Sequence, residues 1–312
     1  MRDVGIPTAD FSVFTNYDEA MRYVQEKGVS IVVKASGLAL GKGVAVCRTL
    51  GEAETALKEI MLDRVFKDAG TKVVIERYLE GQEVSIHALS DGKTHVMFPV
   101  SQDHKTIGEG DTGKNTGGMG VIAPLSFVSA ELMQEIERMI VKPTFDALRK
   151  KGIEYSGILY PGLKLTSMGP KVLEYNARFG DPECQVYMRL LKTDLLDILD
   201  ACVDGKLSDQ QIEWNTGFAA NIVLVSGGYP DEYKKGLPIT GIGEAEKVPG
   251  VVVFHASTQH QGPALMTAGG RVLSVSAVGA TLKSALDRAY EAVGKVRFEG
   301  MYFRRDIGAK SL

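Results

Sequence analysis

Cysteine is scarce in this chain of 312 residues. Cys47, Cys184 and Cys202 stand far apart and form no Cys-x-x-Cys pair, which excludes a zinc ribbon or a disulfide framework and fits a reducing compartment. Long apolar runs are missing too. Nothing approaches the roughly 20 residues that a membrane-spanning helix needs, and the N-terminus carries no signal-peptide pattern. An excess of charge of either sign is also absent. With 36 basic and 39 acidic residues there is no electrostatic ground for binding nucleic acid or an anionic membrane. Tryptophan occurs once, as Trp214, and no role attaches to it. These absences leave the expectation of a soluble, cytoplasmic protein with no nucleic-acid and no membrane partner. Glycine, by contrast, is plentiful at 35 residues, many of them between strand-like runs where backbone must approach something closely.

Apolar periodicity reads as an α+β protein. Asn16 is a candidate N-cap for a helix through 18–27. Residues 29–35 read as a buried strand, 44–47 as its hairpin partner, 51–62 as a helix and 72–76 as a strand, closing a first unit at about residue 80. Strands near 82–90 and 94–100 follow, joined by an Asp91-Gly92 turn. Residues 101–125 read as one long polar, glycine-dense loop, a length that marks a functional or disordered segment. A helix over 128–151, strands near 155–166 and 171–176, and a helix from about 183 to 204 complete a second unit, 81–213. The last stretch, 214–312, alternates strands (219–225, 251–254, 272–275) with one helix, 281–294, and reads as a separate α+β layer.

The run Leu173-Glu-Tyr-Asn-Ala-Arg-Phe-Gly-Asp-Pro-Glu183 carries the most chemistry. On a strand, Glu174 and Asn176 point to one face, a carboxylate and an amide oxygen together, which suits a hard cation such as Mg²⁺. Arg178 follows as a fixed cation, and Gly180-Asp181-Pro182 makes a tight turn. A solvated strand edge would account for Glu-x-Asn alone. With Arg178, Asp181 and Glu183 within ten residues, the functional reading prevails.

Lys34 ends a strand, and the loop Ser36-Gly-Leu-Ala-Leu-Gly-Lys-Gly43 follows it. Gly41 and Gly43 free backbone N–H groups for phosphate oxygens, while Lys34 and Lys42 add positive charge. The loop is neither a Walker A motif, being one residue short with Gly43 in place of Ser/Thr, nor a dinucleotide fingerprint. A flexible hairpin with a solvated lysine is the competing account. Glu76-Arg-Tyr-Leu-Glu-Gly-Gln-Glu83 joins the first two units; its main chain could offer donors and acceptors to an adenine edge and Glu83 could accept from ribose hydroxyls, although exposed carboxylates on a strand–turn–strand would look the same. Asp103, His104, Lys105 and Asn115 gather beside the glycine run Thr116-Gly-Gly-Met-Gly120, whose backbone could wrap a phosphate. His104 reads either as a general base or as a plain hydrogen-bonding group; His87 and His95, inside strand-like runs, read as structural.

In this order, a lysine-bearing hairpin, hinge carboxylates and a late Glu-x-Asn strand, the chain resembles the ATP-grasp superfamily. Arg178-Phe-Gly-Asp-Pro-Glu183 and Gln102-Asp-His-Lys105…Asn115-Thr-Gly-Gly-Met-Gly120 resemble the glycinamide ribonucleotide synthetase family, as do Val253-Phe-His-Ala-Ser-Thr, Gly269-Gly-Arg-Val-Leu273 and Arg304-Arg-Asp-Ile-Gly308. The resemblance implies an ATP-grasp fold with a lid subdomain (1–80) and a core subdomain (81–213) gripping ATP, then a small C-terminal α+β domain (214–312). It implies ATP-dependent joining of glycine to 5-phosphoribosylamine through glycyl phosphate, a step of de novo purine synthesis. ATP would be held by Lys34, Gly41, Lys42, Gly43, Glu76, Tyr78, Leu79 and Glu83. Mg²⁺ or Mn²⁺ would sit on Glu174 and Asn176. The two substrates would lie against Asp103, His104, Lys105, Asn115, Thr116, Gly117, Gly118, Met119, Arg178 and Asp181, and Arg178, Lys42 and Asp181 would act in the chemistry.

Three positions depart from the family's pattern, all in the substrate loop: Thr106 where arginine is common, Lys114 where proline is common, and Val121-Ile-Ala-Pro124 in place of Ala-Tyr-Ser-Pro. Family members also carry an N-terminal domain of about one hundred residues that helps bind the ribosylamine phosphate. Met1-Arg-Asp-Val-Gly-Ile-Pro-Thr resembles the junction after it, so the expectation is a chain lacking that domain or drawing on another polypeptide, possible purine-pathway domains included. The alternatives are another ATP-grasp ligase of purine synthesis, or a non-catalytic nucleotide-binding fragment.

Overall fold

A computed structural model describes residues 1–37, 39 and 43–312. Gly41 and Lys42, expected at the tip of the nucleotide hairpin, lie outside the described residues. The chain divides into two compact units, Met1–Gln82 with Lys164–Leu173, and Glu83–Leu163 with Glu174–Leu312.

The first unit is built on a four-stranded antiparallel sheet in the order Phe11–Phe14, Val73–Arg77, Ile31–Ala35, Val44–Cys47. Ile31 and Val33 turn inward with Val73 and Ile75, against Ala20 and Val24 of helix Tyr17–Lys27 and Leu57 of helix Leu50–Leu57. The strand expected over 29–35 therefore starts at Ile31 and buries only alternate residues. Both helices start on side-chain caps. Asn16 accepts from the Glu19 amide, and Thr49 and Glu52 form a capping box. The helix expected to run to residue 62 gives way at Lys58 to a wider π turn, Lys58–Leu62.

In the second unit one sheet pairs Ala88–Asp91 with His95–Met97 on one side and with residues 156–159 of the strand Ser156–Thr166 on the other. Asp91 Oδ1 accepts from the amides of Lys93 and Thr94 and shapes the expected hairpin turn. A second sheet runs Val251–His255, Arg271–Gly279, Phe218–Val225, Gly120–Ala123, Gln102–Asp103. Helices Glu183–Leu190 and Leu282–Val293 pack against it.

Three sequence expectations need correction here. Residues 101–125 are not one irregular loop. Gln102–Asp103 and the fully buried Gly120–Ala123 are strands of the second sheet, and Thr106–Gly108 pairs with Thr112–Asn115 as a hairpin. Pairing with Ala219–Ile222, about a hundred residues away in sequence, creates the Gly120–Ala123 strand. The helix expected over 183–204 is two, Glu183–Leu190 and Leu195–Val203. Leu191 is extended and bridges Trp214, the Asn215 amide binds the Leu190 carbonyl at 2.7 Å, and Asp194 caps the second helix. The helix expected over 128–151 carries a π turn at Glu137–Val141, and Pro143 falls in the first turn of the α-helix Lys142–Lys150 that follows, where a missing N–H is tolerated. Thr258–Gln261 and Ala264–Thr267 form a further antiparallel hairpin. Among the described residues no helix is long and apolar enough to cross a membrane.

Candidate active site

In the first unit, antiparallel register sets Val32 opposite Glu76 and Lys34 opposite Val74, so Lys34 and Glu76 are diagonal neighbours on one face. Their side chains form an ion pair at 2.7 Å, and Lys34 Nζ also donates to the Leu173 carbonyl at 3.0 Å. Two expected nucleotide residues are thus partners. The Tyr78 ring lies under the Arg48 guanidinium at 5.1 Å and the Lys164 ammonium at 5.9 Å. Gly81 has φ of 137°, and a Cβ there would run into the Leu165 carbonyl, which is why this junction needs glycine. Leu79 is half-buried, and Gly43 is buried, with its carbonyl accepting from the Ala35 amide.

Residues 174–176 of the strand Gly169–Asn176 belong to the second unit; Glu174 is exposed, while Tyr175 on the opposite face binds Thr144. Glu174 Oε1 lies 3.6 Å from Lys105 Nζ, and Glu83 Oε2 lies 3.8 Å from the same ammonium. Burial works against the charge on Lys105, but Glu83, Glu174, Asp103 and Glu183 outweigh it and raise its pKa. Asn176 Oδ1 accepts from Arg178 Nη2 at 3.3 Å, Arg178 Nη1 donates to the Phe179 carbonyl at 2.8 Å, and Arg178 is exposed. Hard oxygens on one strand face suit a divalent cation. Among the described residues no group of three or more His, Cys, Asp or Glu is arranged to hold a metal. Glu174 and Asn176 supply one carboxylate and one amide oxygen, each beside a cation, Lys105 and Arg178 respectively.

Asp103 Oδ1 is buried with no hydrogen-bond partner. Burial, and then the charge of Glu183, raise the Asp103 pKa well above the usual carboxylate range. Gly118, at φ 112°, passes so close that a Cβ would touch Asp103 Oδ1 and Pro182. Thr116 Oγ1 and the Thr116 amide both bind the Lys105 carbonyl, closing the loop base, while Asn115 stays exposed.

Two expected substrate residues are corrected. His104 Nε2 accepts from the Gly308 amide at 3.1 Å, so Nδ1 carries the proton and donates to the Gly120 carbonyl at 3.1 Å. Neither ring nitrogen is free for a ligand or for base catalysis. Met119 has a fully buried side chain, its amide binds the His104 carbonyl, and its own carbonyl accepts from Val223. Both residues hold the loop rather than face a substrate.

Sequence pattern gave no site role to three other residues, of which His87 is structural as expected. His87 is buried, stacks on Tyr160, and accepts from the Gly180 amide on Nε2 at 3.0 Å. Its Nδ1–H then donates to Tyr187 Oη at 2.8 Å. Glu183 accepts from Tyr160 Oη at 2.5 Å and Ser85 Oγ at 2.9 Å. Arg271 binds Asp181. The only signal for these was membership of a quoted motif (Glu183, Arg271) or of a strand-like run (His87).

Burial, with Arg178 for His87 and Arg304 for His104, lowers these imidazoles to about 3 and about 4. Below about pH 6.5 the unfolded chain takes up protons that the folded one refuses, so this stability is complete above that pH and is lost as pH falls toward 4. His104→Gln should flatten the pH dependence of the unfolding free energy by up to about 1.4 kcal/mol per unit in that window. Urea unfolding at several pH values reads the slope; identical slopes for both proteins would refute the buried neutral imidazole.

Against known proteins, the phosphoribosylglycinamide synthetase ATP-grasp (A) domain matches residues 1–184, and the C domain of the same synthetase matches residues 219–310. A phosphoribosylamine–glycine ligase of Chlorobaculum tepidum is 49% identical over 313 residues, covering 100% of this chain and 74% of that protein. One from Rhodopirellula baltica is 44% identical over 319 residues, covering 100% and 73%. The crystal structure of a phosphoribosylamine–glycine ligase from Thermotoga maritima superposes with a TM-score of 0.88 at 35% identity, over 98% of this chain and 76% of that one. The chain has the ATP-grasp fold and belongs to the phosphoribosylglycinamide synthetase family.

Proposed function

We infer that the chain is an ATP-dependent ligase that joins glycine to 5-phosphoribosylamine, giving glycinamide ribonucleotide, ADP and phosphate. Family membership over nearly its whole length supports the reaction. The observation that carries the chemistry is the face of the strand Gly169–Asn176, where Glu174 and Asn176 lead directly into Arg178 and the Gly180-Asp181-Pro182 turn.

In this proposal Lys34, Gly41, Lys42 and Gly43 neutralise and cradle the triphosphate, and Glu76, Tyr78, Leu79 and Glu83 hold the nucleoside. Mg²⁺ or Mn²⁺ on Glu174 and Asn176 would neutralise phosphate oxygens when bound. A glycine carboxylate oxygen attacks the γ-phosphorus, the bond to ADP breaks, and Arg178 stabilises the charge on the transferred phosphoryl group. The amine nitrogen of phosphoribosylamine then attacks the acyl carbon, phosphate leaves, and the nitrogen gives up a proton. Asp103, Lys105, Asn115, Thr116, Gly117, Gly118 and Asp181 keep the two substrates aligned. Asp103 has an oxygen without a protein partner, which leaves it an acceptor for a substrate ammonium or hydroxyl.

The test is ADP release by the purified chain with ATP, glycine and freshly generated phosphoribosylamine, with the product identified by mass. Release that needs glycine and yields glycinamide ribonucleotide is expected. Turnover indifferent to glycine would overturn the reading.

A further inference from the structure

Arg271 lies at the start of the strand Arg271–Gly279, far in sequence from every residue assigned above. Its guanidinium nonetheless ties two of them together. Nη1 donates to the Gly117 carbonyl at 2.8 Å and to the Asp181 backbone carbonyl at 2.8 Å. Nη1 and Nη2 also grip the Asp181 carboxylate, at 3.2 and 3.0 Å. The other side of the Gly117 peptide is held too, its amide donating to Tyr229 Oη at 3.0 Å. Gly117 must be glycine for this to happen, since a Cβ there would lie 2.9 Å from the guanidinium carbon. A planar fork with several donors is what such a junction requires; an ammonium on a flexible stem could not make the same set.

We propose that Arg271 is a positioning residue of the ligase site: it fixes the Asp181 carboxylate against the Gly117–Gly118 turn, so that the segment on which the acyl acceptor and glycine are aligned has one conformation. The substrate part of this inference rests on the ligase reading; the clamp itself does not. The Asp181 side chain is 58% exposed and also takes Gln185 Nε2 on Oδ1 at 3.2 Å, an exposed contact from the following helix, whereas Arg271 is itself only 23% exposed and anchored in a sheet. Alignment of reacting groups is worth orders of magnitude in rate, and a displacement of about 1 Å costs on the order of a hundredfold.

The experiment uses Arg271→Ala and Arg271→Lys with two readouts. Amide exchange over 114–120 reads the clamp without reference to activity, and Arg271→Ala should raise it at least about tenfold. Unchanged exchange would overturn the proposal even if the protein proves to have another activity. Steady-state kinetics read the consequence. KM for glycine or phosphoribosylamine should rise and kcat/KM for that substrate fall about a hundredfold, with KM for ATP within about twofold of wild type. Added methylguanidinium should restore part of the loss in Arg271→Ala, and Arg271→Lys should fall between wild type and alanine. An equal loss toward ATP, or no rescue by guanidinium, would mean that Arg271 only supports the fold. A wild-type protein making no glycinamide ribonucleotide would sink the ligase reading and, with it, the substrate-alignment role, leaving the exchange result to judge the clamp.

Discussion

Glu174→Ala is expected to lower metal-dependent ADP release by between about a hundredfold and a thousandfold, the cost of deleting one group that stabilises developing charge on a transferred phosphoryl group. The same change should hardly touch stability. The Glu174 side chain is 52% exposed, and its ion-pair partner is Lys105 at 3.6 Å, a long contact of the kind that contributes about 0–1 kcal/mol. Lys105 keeps Glu83 at 3.8 Å after the substitution, so no ammonium is stranded. The thermal midpoint should therefore stay within a few degrees of wild type while turnover collapses. Glu174→Gln separates charge from shape: it retains an oxygen on the same strand face but loses the negative charge, and should recover turnover only at raised Mg²⁺ or Mn²⁺. Wild-type turnover in Glu174→Ala would remove the metal assignment altogether.

The strand that carries Glu174 and Asn176 was readable from sequence because a strand has a period of two and the run Val172-Leu-Glu-Tyr-Asn176 is local. The caps at Asn16 and the Asp91 turn are equally local, each a short polar side chain satisfying amides two or three residues on. The Gly120–Ala123 strand is different. It is four residues long inside a glycine-rich stretch, and its hydrogen-bond partners are Gln102–Asp103 on one side and Ala219–Ile222 on the other. Nothing within its own window distinguishes it from a loop. The break between Leu190 and Leu195 was hidden for the opposite reason: Leu190, Leu191, Leu195 and Leu196 continue the helical apolar pattern, and only the Trp214 bridge and the Asp194 cap reveal the interruption.

The candidate site divides in the same way. Residue types were legible where their chemistry is unusual, as with Arg178 and Asp181, but not which of them face outward. His104 looked like a base because its neighbours Asp103 and Lys105 are charged; the Gly308 amide that occupies its Nε2 comes from 204 residues further on. Thr106 and Lys114, two departures from the family's pattern, both acquire partners in the last third of the chain. Arg304 Nη1 donates to Thr106 Oγ1 at 3.0 Å, and Lys114 Nζ to Asp231 at 2.7 Å. Arg304 is 1% exposed and also holds Asp306 and Asp111, so the hairpin at 106–115 is fastened to residues 304–310 by a buried guanidinium. Sequence spacing has no means of displaying such a link.

Glu183→Ala is expected to be the most destabilising single change near the site, by about 3–5 kcal/mol. Glu183 is 2% exposed, and one carboxylate oxygen takes both the Tyr160 hydroxyl at 2.5 Å and the Ser85 hydroxyl at 2.9 Å. Hydrogen bonds to a charged group contribute roughly 1.5–3 kcal/mol each, and truncation adds a cavity beneath the helix Glu183–Leu190. Tyr160 stacks on His87, which holds the Gly180 amide, so the loss propagates into the Gly180-Asp181-Pro182 turn. Glu183→Gln decides between two contributions. It preserves an acceptor for both hydroxyls but removes a negative charge that raises the pKa of Asp103. If hydrogen bonding dominates, the glutamine protein should lose less than half of what the alanine protein loses, and Asp103 should ionise more readily in it, read by carboxyl-selective NMR titration. Equal destabilisation of both variants would mean that the charge itself, through Lys105, holds this part of the fold.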